Sequence, residues 1–474
     1  MDSLTYRSAV EMARMIRDKK ISPVELVQAH LDRIEQLNPQ LNAFVSVDSA
    51  RALEAARKAE AAVLQGATVG PLHGVPVTIK SSIDVAGLRC ETGSKLRAGH
   101  IAEADAPLVS RLKAAGAIVL GNTNVPEMLM AFETDNLLYG RTNSPWDLER
   151  TPGGSSGGEA AAIAAGCSAG GVGSDGAGSV RVPAHFSGIC GLKPTPGRIP
   201  ATGHFPPSLG PFALLGVVGP LARTVADLQL LFEAIAGPDK GDACAAPVPL
   251  RRLSDAEVRK IRIGYFEDDG RTPVTPETRA AVRTAAEALK QQGFEVEPFR
   301  PEGLERARQL LWLFFGFGAR MLLGKEFEGR ASNQIPALMQ YALQAPLLTA
   351  EELLNAWMER DQLVIGLAEQ MEKFPVLLCP VCAVPAFRHG ERAWTINGQS
   401  ISYLDAMSYT PWFNLLGNPG VVVPVGRSPE GLPIGVQVVA RLHEEEVALA
   451  VAAQIEQAGG GWQAPPLGRS VSPA

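Results

Sequence analysis

Between Thr151 and Ser187 the chain reads TPGGSSGGEAAAIAAGCSAGGVGSDGAGSVRVPAHFS, two glycine-rich loops around an alanine-rich run. Ser155 and Ser156 stand in the first loop (153–158), and Ser179 closes the second (170–178). Glycine is required where backbone takes positive φ or approaches another group closely. The local reading is two tight backbone cradles presenting hydroxyls, joined by a small packed helix over 160–165. A flexible Gly/Ser linker would not embed alanine and isoleucine in this way.

One rival reading is a phosphate cradle. Residues 171–176, GVGSDG, fit G-x-G-x-x-G. That fingerprint needs an acidic residue about 20 positions further on to hold a ribose. No Asp or Glu occurs between Asp175 and Asp227, and neither glycine run continues into Gly-Lys-Ser/Thr, so both nucleotide readings fail.

A serine hydroxyl is a poor nucleophile until a base takes its proton. Seven histidines are available, none in a G-x-S-x-G setting. His185, six residues after Ser179, is read as packing. A lysine serves as base when burial disfavours its ammonium form. Lys80, ending the apolar segment VPVTIK, fits that requirement.

Lys80 stands 75 residues before Ser155, and Ser155 stands 24 before Ser179. With GGSSGGE, GSVRVPA, GLKPT, PLHGVPVTIK, ETDNLLYGRTNSPWD, GPLARTVADL and NLLGNPGVVVPVG, that spacing resembles the amidase signature family of Ser-cisSer-Lys hydrolases. The resemblance covers residues 1–240 and 374–455, while 270–370 matches little. It implies one α/β/α domain with a large mixed β-sheet covered by helices. It also implies that Ser179 is the nucleophile, that Ser155, after a cis Gly154–Ser155 bond, bridges to Lys80, and that Ser156 hydrogen-bonds Lys80. The N–H groups of Gly176, Ala177, Gly178 and Ser179 are the implied oxyanion hole. Asp175 and Arg181 are implied supports of that loop, paired with each other. Ala177 departs from the family's glycine, its methyl trimming the pocket floor, and Asn122 replaces a common lysine as surface variation. No metal or organic cofactor is implied.

The remaining composition is consistent with that class. At 46% hydrophobic, 474 residues bury a large core, and a net charge of −6 gives no electrostatic case for nucleic acid or anionic membrane. Neither a secretory leader nor an uninterrupted apolar run of membrane-spanning length is read, so the expectation is a soluble, cytoplasmic protein. Six cysteines do not make a disulfide framework, and Cys379-Pro-Val-Cys382 lies in an apolar run that reads as buried thiols.

Along the chain, Ser22-Pro23-Val24-Glu25 is a capping box opening an amphipathic helix, and 50–64 is a second helix. Strands are expected at 75–79, 117–120, 170–173, 261–266, 295–299, 376–379, 420–425 and 434–439, with helices at 105–115 and 223–236. Strands without strict alternation, separated by helices, indicate a sheet buried on both faces. The organisation expected is an N-terminal helical layer (1–66), a catalytic core (67–240), a variable, mostly helical insertion (270–370) and a return to the core (374–455), all within one domain (1–474).

The substrate reading rests on apolar texture. Met128, Met130, Phe132, His204, Phe205 and Phe212 are candidate pocket residues, and Trp312, Phe314, Phe315 and Phe317 add an aromatic helix face. An apolar entrance favours uncharged aryl or longer-chain acyl amides, with esters and aryl carbamates (urethanes) as relatives. The alternative is a glutamine-hydrolysing subunit of an amidotransferase complex. The expected partner is a small molecule, with no nucleic acid and no membrane; the oligomeric state, a homodimer included, is left open.

Overall fold

Pairing runs through a single eleven-stranded mixed sheet in the computed structural model, which describes residues 4–207, 209–331 and 334–469. In chain order the strands are β1 (Phe44–Val47), β2 (Pro76–Lys80), β3 (Ile118–Thr123), β4 (Gly170–Asp175), β5 (Cys190–Lys193), β6 (Val217–Ala222), β7 (Arg262–Tyr265), β8 (Glu295–Pro298) and β9 (Val376–Pro380). A separate hairpin, β10 (Ala393–Ile396) and β11 (Gln399–Ser402), follows, then β12 (Gly420–Arg427) and β13 (Pro433–Ala440). The sheet order is β1-β3-β2-β4-β6-β5-β12-β13-β9-β7-β8.

Alternation along the strands divides the core. Val376, Leu378, Val421, Val423 and Val438 enter one cluster, with helices Ala9–Arg17, Pro107–Ala114, Val225–Ile235, Pro276–Gln291 and Glu445–Ala458. Leu377, Cys379, Val422 and Val439 enter another, with helices Gly157–Ala164, Arg181–Ser187, Leu304–Leu323 and Pro411–Leu415. Two covered faces explain why these strands read as continuous apolar runs. Among the described residues, no helix is long and apolar enough to cross a membrane.

The capping box at Ser22 forms: its hydroxyl accepts from Val24 N–H at 2.9 Å, and its own N–H donates to Glu25 at 3.1 Å. Cys379 and Cys382 are free and buried. All eight expected sheet strands occur, with ends shifted by up to three residues. Three sheet strands and the hairpin were not expected. β6 carries Gly219-Pro220 yet sits between β4 and β5, where pairing on both sides overrides its weak local preference. Residues 276–298 supply a helix and strand β8 to the sheet layer, so the separate helical layer begins at Leu304 rather than at 270.

Candidate active site

β2 and β4 are parallel neighbours, with Val77 opposite Gly170 and Ile79 opposite Val172, so their carboxyl ends emerge together. Ligands in α/β sheets bind beyond such ends. Here those ends carry Lys80, Ser174 and Asp175. Helix Gly157–Ala164 lies against β4 so closely that a methyl at Gly171 would collide with Glu159, and one at Gly173 would sit 2.6 Å from Ser156 Oγ. The paired glycines of β4 therefore seat this helix, in place of the tight turn a dinucleotide fingerprint needs. The seating brings Ser155 and Ser156, at the helix start, against the end of β4. The Gly154–Ser155 peptide is cis.

Lys80 is fully buried, with Nζ 2.7 Å from Ser155 Oγ, 3.0 Å from Ser174 Oγ and 3.4 Å from Ser174 O. Burial pushes its pKa down to about 7, against the opposing pull of Asp175 and Glu159. The neutral form of this amine, in reach of a hydroxyl, is able to take its proton. Glu159 is buried behind it, accepting from the Thr78 and Thr123 hydroxyls. Burial raises the Glu159 pKa to about 7 although both hydroxyls and Lys80 favour the carboxylate.

Ser156, expected on Lys80, instead bonds the backbone of Ser174, at 3.3 Å to its carbonyl and 3.4 Å from its N–H. Ser174, for which the sequence carries no signal, occupies the place at Lys80. Its hydroxyl also lies 2.9 Å from His204 Nε2. His204 and Ser174 are 30 residues apart across a strand, a helix and a loop, and no spacing rule connects them.

The loop leading to Ser179 is built on Asp175. Arg181 meets it through Nε to Oδ2 at 3.0 Å and Nη2 to Oδ1 at 2.9 Å, both side chains fully buried. Burial alone would raise the Asp175 pKa, but the Arg181 guanidinium and the Asn414 amide hold it well below the usual carboxylate range. Asp175 also accepts from Gly178 N–H at 2.7 Å and Val180 N–H at 3.1 Å. Gly178 N–H thus points inward and is spent, a correction to the expected four-donor oxyanion hole. The N–H groups of Gly176, Ala177 and Ser179 carry no such bond. Gly178 has φ +128°, and a methyl there would collide with Thr410. Ala177 stays at ordinary φ and faces the cavity, so alanine is accommodated.

His185 is buried with both nitrogens occupied: Nδ1 accepts from Gly435 N–H at 2.8 Å and Nε2 donates to Val384 O at 3.3 Å. Asn122, expected at the surface, is fully buried, its amide donating to Ile79 O at 3.3 Å.

A cavity of about 170 Å³ opens over Ser155, Ser174, Asp175, Gly176, Ala177 and Ser179. Met128, Leu129 and Met130 form one wall, His204, Pro206 and Pro207 another, and Phe314, Phe315, Gly318, Ala319 and Leu322 a third. The last five share one face of helix Leu304–Leu323. Phe132 does not line the cavity; it is buried against Trp312 and Tyr403. Phe205 turns away, its ring beneath the Arg97 guanidinium at 3.7 Å. Trp312 packs on Phe315 and Tyr341, and Phe317 is half-buried outside the lining. The side chain of Phe212 lies outside the described residues.

The amidase family model matches residues 25–449. An indoleacetamide hydrolase of Bradyrhizobium diazoefficiens is 36% identical over 476 residues, covering 96% of this chain and 86% of that protein. The A-type subunit of the glutamyl-tRNA(Gln) amidotransferase from Acidothermus cellulolyticus is 34% identical over 490 residues, 97% of this chain and 95% of its own. Among solved structures, a bacterial aryl acylamidase of the amidase signature enzymes superposes with a TM-score of 0.86 at 27% identity, covering 98% of this chain and 99% of that one. The chain belongs to the amidase signature family and is an amide-hydrolysing enzyme.

Proposed function

We propose that the enzyme hydrolyses uncharged aryl or longer-chain acyl amides through a seryl acyl-enzyme, with Ser179 as nucleophile, Ser155 as proton bridge and Lys80 as base. The observation that carries the reading is the 2.7 Å approach of Lys80 to Ser155 in a fully buried setting that favours the neutral amine.

As Ser179 Oγ bonds to the amide carbon, its proton passes to Ser155, whose own proton passes to Lys80. The carbonyl π electrons move onto oxygen, where the free N–H groups of Gly176, Ala177 and Ser179 face the developing charge. Preorganised donors of this kind are each worth about 3–4 kcal/mol toward a barrier. When the C–N bond breaks, a proton returns from Lys80 through Ser155 to the leaving nitrogen. Water then attacks the acyl ester by the same route, releasing acid and restoring Ser179.

The walls support the substrate class. The sole charged side chain in the described lining is Asp175, and Arg181 neutralises it. Glutamine would bring an ammonium and a carboxylate with no partner for either, a costly burial. The likeness to an amidotransferase component nonetheless makes glutamine the substrate to compare. Purified enzyme is assayed on an acyl anilide, an aryl carbamate and glutamine, and the anilide is expected to give the highest kcat/KM. If glutamine turned over best, the apolar-pocket reading would give way to a role within an amidotransferase complex.

A further inference from the structure

We propose that Ser174 and His204 are a positioning pair that fixes the direction of hydrogen bonding around Lys80, keeping its lone pair aimed at Ser155. The inference rests on Lys80 being the base.

A backbone carbonyl sets the polarity. His204 Nδ1 lies 2.9 Å from Pro206 O, which only accepts, so Nδ1 carries the proton. In a neutral ring Nε2 is then an acceptor. Its partner at 2.9 Å, Ser174 Oγ, must donate to it. With its proton committed, Ser174 Oγ has only lone pairs left for Lys80 Nζ at 3.0 Å, so Lys80 donates there. A neutral amine has two N–H bonds and one lone pair. The second N–H has Ser174 O at 3.4 Å, which leaves the lone pair for the hydroxyl of Ser155 at 2.7 Å. Donors and acceptors match along the whole chain, from Pro206 O to Ser155.

The opposite polarity is unproductive. With the proton on Nε2, Ser174 would accept from His204 and turn its own hydroxyl toward Lys80, competing with Ser155 for the single lone pair. Burial and the charge of Lys80 push the His204 pKa down to about 4, so the ring is neutral under ordinary conditions. His204 is also held in place by the antiparallel bridge of its backbone to Ile83, three residues beyond Lys80. The residue that polarises the base is thereby part of the cavity wall formed with Pro206 and Pro207.

The test is a double-mutant cycle on the full-length enzyme with the acyl anilide, reading kcat and KM separately and checking each variant by thermal melting. Ser174→Ala and His204→Phe are each expected to lower kcat by about 10- to 100-fold, a part of what a positioned proton transfer contributes, with KM within about twofold. Because His204 acts through Ser174, the double variant should be no slower than the slower single one. His204→Gln, whose Oε1 can accept the Ser174 proton, should recover most of the kcat lost in His204→Phe. Multiplying losses in the double variant, no recovery in His204→Gln, or a raised KM at unchanged kcat would overturn the pairing and leave His204 as cavity wall. If His204→Phe does not fold, His204→Asn, too short to reach Ser174, takes its place. Ser179→Ala is run alongside: turnover persisting there would overturn the triad, whereas an inactive Ser179→Ala with multiplying losses would overturn the pair alone.

Discussion

Asp175 and Arg181 are joined by two hydrogen bonds of 2.9–3.0 Å with neither side chain exposed to solvent. The carboxylate also fixes Gly178 and Val180, while the guanidinium reaches Thr410 O at 2.9 Å and Gln437 at 2.7 Å. The pair therefore ties the loop before Ser179 to helix Pro411–Leu415 and strand β13. Breaking a buried pair leaves an uncompensated charge and costs about 3–5 kcal/mol. Asp175→Asn should lower the urea midpoint accordingly and reduce turnover. Unchanged stability would show that the guanidinium finds other partners.

Ser179→Ala and Lys80→Ala should each lower kcat by about a thousandfold or more, with the double variant little worse, because the groups act as one unit. Ser155→Ala should be severely impaired as well. Near-normal turnover in Ser179→Ala would move the nucleophile elsewhere.

The pH profile follows from Lys80. Its protonated form has no lone pair, so kcat/KM should fall below about pH 7 and hold into mildly alkaline solution. His185→Gln should leave that acid limb in place, since both ring nitrogens serve the backbone. A displaced limb would instead assign the base role to His185.

Stability should carry its own lysine signature. Lys193 is fully buried near Arg181, and burial first, then that charge, pushes its pKa from 10.5 to about 7. Between those values the unfolded chain binds a proton that the folded protein releases, so this group makes stability rise with pH above about 7. Lys193→Met should give a shallower dependence of the urea midpoint between about pH 7 and 8.5 than wild type. Equal slopes would mean that Lys193 stays charged in the fold.

What was legible in the sequence follows chain locality. Lys80, Ser155 and Ser179 lie where short glycine-rich or apolar segments restrict the backbone, and those segments stand out against the rest of the chain. Ser174, His204 and Asn414 owe their positions to contacts between segments far apart, and each is an ordinary residue in its own neighbourhood. β6 shows the same limit: Gly219-Pro220 argues against a strand until neighbours on both sides are known. Ser156 was expected on Lys80 because it adjoins Ser155, but successive residues at the helix start point in different directions, and Ser156 faces β4. Phe132 and Trp312 read equally well as wall or core, and their mutual packing decides for core.

The glycine-seated contact between β4 and helix Gly157–Ala164 fixes both serines on one strand-and-helix unit, whereas the aromatic wall comes from helix Leu304–Leu323, more than a hundred residues later in the chain. The serines and the aromatic wall thus come from different segments. Replacements at Phe314, Phe315, Gly318 or Leu322 would reshape what the enzyme accepts without touching the groups that break the bond. At Gly171 and Gly173 even one added methyl would displace the serine-bearing helix. A library seeking new substrates should vary the first set and leave the second unchanged.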